Sequence, residues 1–270
     1  MIQEFKIAGV SYKWDTNVFF DLSIPLIFNG AQPNSYNVDK ASSKAYEVDD
    51  FIGDTRQGGG CNFEVISLIP HCNGTHTECI GHITLDRYSI HQQLKDVFVK
   101  ASLISVTPEK STDTLEHYSP DFAAEDMVIT RRVLVTALKK TSVHFLEAII
   151  IRTLPNSADK KSRQYMKEQP PFFSLEAMEL LVSLGVKHLL VDIPSLDRTF
   201  DEGELSAHHV FWNIAQNTHI PDQDAHFHKT ITEMIFVPDE ISDGKYLLNL
   251  QIAAFAGDAA PSRPVIFKLL

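Results

Sequence analysis

The stretch that decides the fold begins with LEAIIIRT at residues 146–153 and ends with KHLLVDIP at residues 187–194. Both segments are short, nearly continuous apolar runs, which is typical of strands buried on both faces. Between them, Ser174 begins a helical pattern as an N-cap residue with an acidic residue in the first turn, and Gly185 ends it. A strand, a helix and a strand in this order predict a right-handed βαβ unit.

Further apolar runs on either side of this unit predict many strands and few helices. Residues 204–216 have the pattern of one more short helix. Residues 29–60 and 155–172 are polar, and we expect the first to be a long irregular excursion and the second to be a mobile lid or a plain surface loop. The chain is therefore expected to form an α/β fold in which residues 1–270 are a single domain. The predicted additional strands are 17–27, 62–69, 98–106, 128–136, 231–237 and 245–256.

Composition narrows the class of protein. The 270 residues carry a net charge of −11, and an acidic chain repels phosphate backbones, so nucleic acid is not an expected partner. Cys61, Cys72 and Cys79 are odd in number and clustered, which argues against a secreted disulfide framework. The first residues lack a basic start with an apolar core, and no stretch approaches the ~20 apolar residues that span a bilayer. We expect a cytoplasmic protein without a membrane partner.

Residues 71–82, HCNGTHTECIGH, concentrate metal-binding side chains. His76 and Glu78 are two residues apart, so they point to the same face of an extended segment. A bend at Gly74 would bring His71 or Cys72 back to the same point. Nitrogen and carboxylate ligands suit Zn²⁺ or Mn²⁺, and a Cys ligand would favour Zn²⁺. By composition alone, a metal site and a group of hydrogen-bonded histidines are equally acceptable interpretations.

Later segments hold further candidates. His208 and His209 point about 100° apart on a helix, so one of them at most faces a given site. Glu233 enters an apolar strand and needs a partner if it is buried, and a metal ion would be one. Asp192 and Asp197 follow a strand and are expected mainly to cap turns. The polar stretch 217–229 is expected to be a loop with some chance of auxiliary metal contacts through His219, His226 and His228.

These segments resemble the cyclase family of metal-dependent hydrolases, which includes bacterial kynurenine formamidase and isatin hydrolase. The family motif H-x-G-T-H-x-D-x-P-x-H is similar to CNGTHTECIGH at residues 72–82. Other similarities follow in the same order along the chain. They are D-L-S-x-P-L at 21–26, D-x-P-S-x-D at 192–197, the late A-H at 207–208 with Glu233, and G-x-G-S-P-x-R-x-V at 257–265.

The resemblance implies a fold, a cofactor and a set of site residues. The fold would be of the swivelling β/β/α type, with a mixed, barrel-like sheet, in a homo-oligomer such as a dimer or tetramer. His76 and Glu78 would bind a divalent metal, Zn or Mn, and His82 would be the catalytic or second-metal histidine. His208 and Glu233 would complete the metal site, with His208 also in a catalytic role.

Two departures from the motif affect the site directly. Cys72 occupies the position of the first family histidine, while His71 lies one residue earlier. Either a bulge lets His71 bind, or Cys72 binds as a thiolate, or this ligand is lost; of these we expect His71. Glu78 replaces the family aspartate and extends the carboxylate by one methylene. The stretch 217–229 resembles an insertion near the site, so the substrate does not transfer from the relatives.

The leading hypothesis is a metal-dependent hydrolase that uses metal-activated water to cleave an amide, formamide or cyclic amide C–N bond in a small molecule. The alternative is a non-catalytic member of the same fold that binds a metal or a small ligand. A third hypothesis is a structural interaction protein in which the histidine cluster is incidental.

Overall fold

The computed structural model describes all residues 1–270 and contains eighteen strands and five short α-helices. The helices are α1 (Pro70–Asn73), α2 (Ile90–Gln93), α3 (Arg131–Leu138), α4 (Leu175–Ser183) and α5 (Ser206–Trp212). The strands are β1 (Ile2–Ile7), β2 (Val10–Asp15), β3 (Phe19–Asp21), β4 (Ser42–Ala45), β5 (Glu47–Val48), β6 (Phe51–Ile52), β7 (Glu64–Ser67), β8 (His76–Cys79), β9 (Phe98–Val106), β10 (Glu109–Lys110), β11 (Met127–Ile129), β12 (Ala148–Thr153), β13 (Phe172–Phe173), β14 (His188–Val191), β15 (Thr230–Glu233), β16 (Gly244–Asn249), β17 (Ala259–Pro261) and β18 (Val265–Lys268).

A curled nine-stranded mixed sheet, half of a barrel, organises the molecule. Its strand order is β17-β8-β15-β14-β12-β9-β16-β18-β3. The four strands β9, β12, β14 and β15 are parallel to one another, and the flanking strands join them in antiparallel pairs. The expected α/β fold of the swivelling type, with a mixed barrel-like sheet and few helices, is confirmed.

The predicted βαβ unit is present as β12, α4 and β14. The side chain of Ser174 caps α4 by accepting a hydrogen bond from the backbone N–H of Ala177. Along β12, Ile149 and Ile151 pack into the core on the helix-covered face, while Ile150 packs into the core on the opposite face. A strand with apolar partners on both sides has no polar face, which explains the uninterrupted apolar run.

Several predicted elements were wrong in extent or type. The predicted strand 128–136 is mostly α3, because the Thr130 hydroxyl caps a helix by accepting from the N–H of Val133. The predicted strands 17–27 and 245–256 shrink to β3 and β16. The expected irregular stretch 29–60 contains β4, which pairs with β7, and the small hairpin of β5 and β6. None of the helices is long and apolar enough to cross a bilayer.

The segment 155–172 is anchored to the body of the protein. The buried Lys160 ammonium donates to Asp192 at 2.8 Å and to the Thr153 carbonyl at 2.7 Å. Farther along, the backbone of Asn34 exchanges hydrogen bonds with residues 163 and 165. These contacts favour the plain surface loop over the mobile lid.

Candidate metal centre

The residues of the candidate centre come from four segments that meet at one end of the sheet. On β8, His76 and Glu78 point to the same face because they are two residues apart. Glu233, the last residue of β15, lies directly opposite His76 in the antiparallel pair. His71 comes from α1, immediately before β8, and His208 comes from α5. Sheet register and two short helices thus bring together residues up to 162 positions apart.

Glu78 is the centre of this cluster. His71 Nδ1 lies 2.8 Å from Glu78 Oε2, and His208 Nε2 lies 2.9 Å from Glu78 Oε1. His76 Nε2 lies 3.4 Å from Glu233 Oε2 and 3.9 Å from Glu78 Oε2. Three imidazoles and two carboxylates therefore converge on one small volume.

The three imidazoles share one arrangement. Each has one ring nitrogen next to an acceptor outside the cluster and the other ring nitrogen facing a glutamate within it. Carboxylate and carbonyl oxygens only accept, so the outer nitrogen must be the N–H donor. This fixing of the ring by an outer acceptor is the usual arrangement of metal-binding histidines. The outer pairs are His71 Nε2 with Asp258 at 2.8 Å, His76 Nδ1 with the carbonyl of Gly74 at 2.9 Å, and His208 Nδ1 with Asp197.

Three atoms at the centre of the cluster are better placed to bind a cation than to hydrogen-bond to one another. His71 Nδ1, His76 Nε2 and Glu78 Oε2 are buried and have no hydrogen-bond partner. Two of them lie 2.8 Å apart without the alignment of a hydrogen bond. Unpaired buried polar atoms are rare and costly. Ligands about 2.0–2.2 Å from a tetrahedral ion lie roughly 3.3 Å from each other, close to the spacing in this cluster. The donor set therefore suits a divalent metal.

The charges of the cluster are strongly coupled. Burial would raise the pKa of Glu78, but the neighbouring histidines, His82 and His208 foremost, outweigh it and hold that pKa well below its ordinary value. Burial and the charge of Glu78 raise the pKa of Glu233. Burial would lower the pKa of His208, but hydrogen bonds to its two carboxylate neighbours raise it well above the ordinary value. The buried carboxylates thus require positive charge beside them.

His82 lies at the rim of the cluster. It follows β8 on a short 3-10 turn, and a Cβ on Gly81 would come within 2.2 Å of the Tyr88 carbonyl oxygen, so glycine is needed for this close approach. His82 Nε2 lies 4.0 Å from Glu78 Oε2, and Nδ1 lies 3.5 Å from Asp258 Oδ2. Its side chain is 26% exposed. His82 therefore lies between the cluster and solvent.

Two aspartates have roles here that the sequence analysis did not assign. The pKa of Asp258 lies far below its ordinary value because two histidines hydrogen-bond to it. Asp197 accepts from the backbone N–H groups of Ala207 at 2.6 Å and His208 at 3.2 Å, so it caps α5 while also holding the His208 imidazole.

Other candidates lie outside the cluster. The Cys72 thiol is buried but belongs to none of the three groups of side chains spaced to hold a metal, whereas His71 belongs to two of them. The remaining candidate histidines with hydrogen bonds use Nδ1 to contact backbone carbonyls elsewhere. These pairs are His209 with Ile214, His219 with Ile83, and His226 with Phe211.

An open cleft of about 680 Å³ reaches the cluster at His82. Besides His82 it is lined by Tyr36 and by the segment 199–205, which precedes α5. A small molecule in this cleft would contact His82, the one residue near the cluster that lines it. The candidate metal cluster is therefore adjacent, through His82, to an opening large enough for a small molecule.

The chain is similar to proteins that share this fold. The family described as Putative cyclase matches residues 20–198, which is more than half of the chain. Kynurenine formamidase of Bacillus cytotoxicus is 28% identical over 214 residues, covering 79% of this chain and 83% of the relative. A predicted metal-dependent hydrolase from Bacillus stearothermophilus superposes with a TM-score of 0.59 at 15% identity, over 93% of this chain and 98% of the other. An isatin hydrolase bound to thioisatinate superposes with a TM-score of 0.58 at 15% identity, over 93% and 92%.

The order of motifs, the half-barrel sheet and the extent of the family match agree with one another. The chain belongs to the putative cyclase family.

Proposed function

We propose that this protein is a metal-dependent hydrolase that cleaves an amide, formamide or cyclic amide C–N bond of a small molecule. The observation that carries the proposal is the common arrangement of His71, His76 and His208. One nitrogen of each ring lies next to an acceptor outside the cluster, and the other nitrogen faces the buried carboxylate of Glu78 or Glu233. The names of the relatives, kynurenine formamidase and isatin hydrolase, support the same bond class.

In this proposal His71, His76 and Glu78 hold the metal, and His208 and Glu233 complete the site. Bound there, a divalent ion would polarise the substrate carbonyl and lower the pKa of water. Three nitrogen donors with two carboxylates support Zn²⁺ or Mn²⁺. Cys72, the alternative to His71, is disfavoured because its thiol lies outside the groups spaced for a metal and burial raises its pKa to about 11.

His82 is the proposed proton carrier. Its imidazole would accept a proton from the attacking water and return it to the leaving nitrogen. Asp258 Oδ2 lies 3.5 Å from His82 Nδ1 and would hold the ring so that Nε2 faces the reacting atoms. Asp197 does the same for His208, whose second nitrogen faces Glu78. His71, His76 and Glu78 would therefore bind the metal, while Asp258 and Asp197 would orient the histidines beside them.

The remaining expectations are part of the proposal. The two cores on either face of one sheet support a single domain over residues 1–270. Three free cysteines support a cytoplasmic location. A homodimer or homotetramer is proposed on the resemblance to the family, and light scattering after size exclusion measures it.

The experiment that tests the function is metal removal and replacement. Chelated protein is assayed with N-formylkynurenine and isatin, then again after addition of Zn²⁺ or Mn²⁺. Turnover that returns with metal supports the proposal, and His76→Ala is expected to lose both metal and turnover. Full metal content with no turnover on amide, lactam and lactone substrates would instead support the binding role.

A further inference from the structure

The cleft beside His82 has a distinctive lining. Two large aromatic side chains line it: Tyr36, which is 46% exposed, and Phe200, which is 56% exposed. Both are far more exposed than the aromatic residues of the two cores. Exposed rings on the walls of a cleft are suited to contact a flat, apolar group of a ligand.

The charged side chains of the cleft are all acidic apart from His82. Asp201 and Glu202 lie next to Phe200, and no lysine or arginine is among the eight lining residues. Asp201 is held by hydrogen bonds from the backbone N–H groups of Gly203 and Leu205 at 3.0 and 2.7 Å. Glu202 is exposed and its carboxylate has no partner. Asp201 is buried and burial raises its pKa, so the exposed Glu202 is the carboxylate that faces the opening, with Asp201 behind it.

The cation nearest in sequence cannot neutralise this charge. Arg198 directs its guanidinium away from the cleft, to Asp126 at 3.3 Å and to the Asp121 carbonyl at 3.4 Å. Burial foremost, and then the charges of Glu233, Asp201 and Asp197, raise the pKa of Tyr36. Its phenol therefore stays neutral and can only donate a hydrogen bond or accept one as a hydroxyl.

We infer that the site selects planar aromatic substrates that are neutral or cationic and disfavours those whose side chain carries a carboxylate. The inference rests on the proposed hydrolase function and specifies its substrate class. A carboxylate in the cleft would meet the exposed Glu202, with no lysine or arginine in the lining to pair with. One such like-charge contact near a protein surface changes affinity by about tenfold.

The test compares two formamides that differ in one group. N-formylkynurenine carries a carboxylate and an amine, and N-formylkynuramine is the same molecule without the carboxylate. With the metal-loaded protein, we expect kcat/KM to be about tenfold higher for N-formylkynuramine. Equal values, or a preference for N-formylkynurenine, would overturn the inference.

Variants of Glu202 test whether this side chain causes the preference for N-formylkynuramine. Glu202→Lys is expected to reduce or reverse the ratio of the two kcat/KM values, and Glu202→Gln to reduce it less. Glu125→Lys is the matched control, since Glu125 is exposed, makes no ion pair and lies outside the cleft, and it should leave the ratio unchanged. A ratio that is the same in Glu202→Lys, Glu202→Gln and the wild type contradicts the inference.

A binding measurement separates this inference from the proposed function. Kynuramine and anthranilate are titrated into the metal-loaded protein by calorimetry, without any need for turnover. Tighter binding of kynuramine, with the difference reduced in Glu202→Lys, supports the inference even if neither formamide is hydrolysed. If both formamides are hydrolysed but anthranilate binds as well as kynuramine, the hydrolase function stands and the inference fails.

Discussion

Replacement of Asp197 by asparagine tests whether His208 is held for metal binding. The buried carboxylate accepts from His208 Nδ1, from the N–H groups of Ala207 and His208, and from the Tyr118 hydroxyl at 2.7 Å. Asparagine keeps the shape but turns an NH₂ group toward donors. About two charge-assisted hydrogen bonds are lost, so we expect the free energy of unfolding to fall by roughly 2–4 kcal/mol.

The same substitution should weaken metal binding. Without a carboxylate on Nδ1, the amide N–H can hydrogen-bond to that nitrogen and leave the proton on Nε2, which faces Glu78. Loss of such an outer partner weakens metal affinity by about 10- to 100-fold. Urea unfolding of the metal-free protein measures the stability, and competition with a chromophoric chelator measures the affinity.

A control separates the two effects. Tyr118→Phe removes its hydrogen bond to Asp197 and the one it accepts from the N–H of Arg198, and leaves His208 in place, so it should cost about 1–3 kcal/mol with no change in metal affinity. If Asp197→Asn lowers stability but keeps full metal affinity, Asp197 is a helix cap alone. The role of His208 as a ligand would then be refuted.

Other parts of the structure give further expectations. Lys160→Met leaves the Asp192 charge buried without its partner and should cost about 3–5 kcal/mol in urea unfolding, partly recovered in the double variant with Asp192→Asn. Burial lowers the pKa of Lys229 from 10.5 to about 8, so the unfolded chain binds more protons between these values and stability rises with pH across them. Lys229→Met should therefore be more stable than wild type at pH 7 and lose this advantage by pH 10, and a constant difference would contradict the assignment. Lys140→Met, an exposed control, should show neither effect. Zn²⁺ at about 100 times its Kd should stabilise the protein by about 2.7 kcal/mol, and a shift retained in His76→Ala would place the ion elsewhere.

The sequence predicted the elements whose local residue pattern matches the way their side chains are buried in the fold. The apolar run 146–153 and the Ser174 cap indicated a βαβ unit because each is a pattern contained within a few neighbouring residues. The segment 128–136 failed because its apolar residues suit a strand as well as a helix, and the Thr130 cap decides between them. The hairpin of β1 and β2 was not predicted, since half of its residues are exposed and the others are only partly buried, so it has no clearly apolar face.

The candidate site was predicted where its residues are close in sequence. His76 and Glu78 followed from the spacing of two residues in a strand, whereas Glu233, far from both in sequence, was proposed from its charge at an apolar strand and from the family resemblance. Asp258 and the outer role of Asp197 depend on contacts across 187 and 11 positions, which no local pattern reports. The choice between His71 and Cys72 likewise needed the direction in which α1 presents each side chain.

Anomalous diffraction from crystals grown with Zn²⁺ or Mn²⁺ tests the central claim most directly. The account predicts a strong anomalous peak between Glu78 and the free nitrogens of His71 and His76, with ligand distances of about 2.0–2.2 Å. An empty cluster in which the histidines and carboxylates hydrogen-bond to one another, at saturating metal, would contradict it.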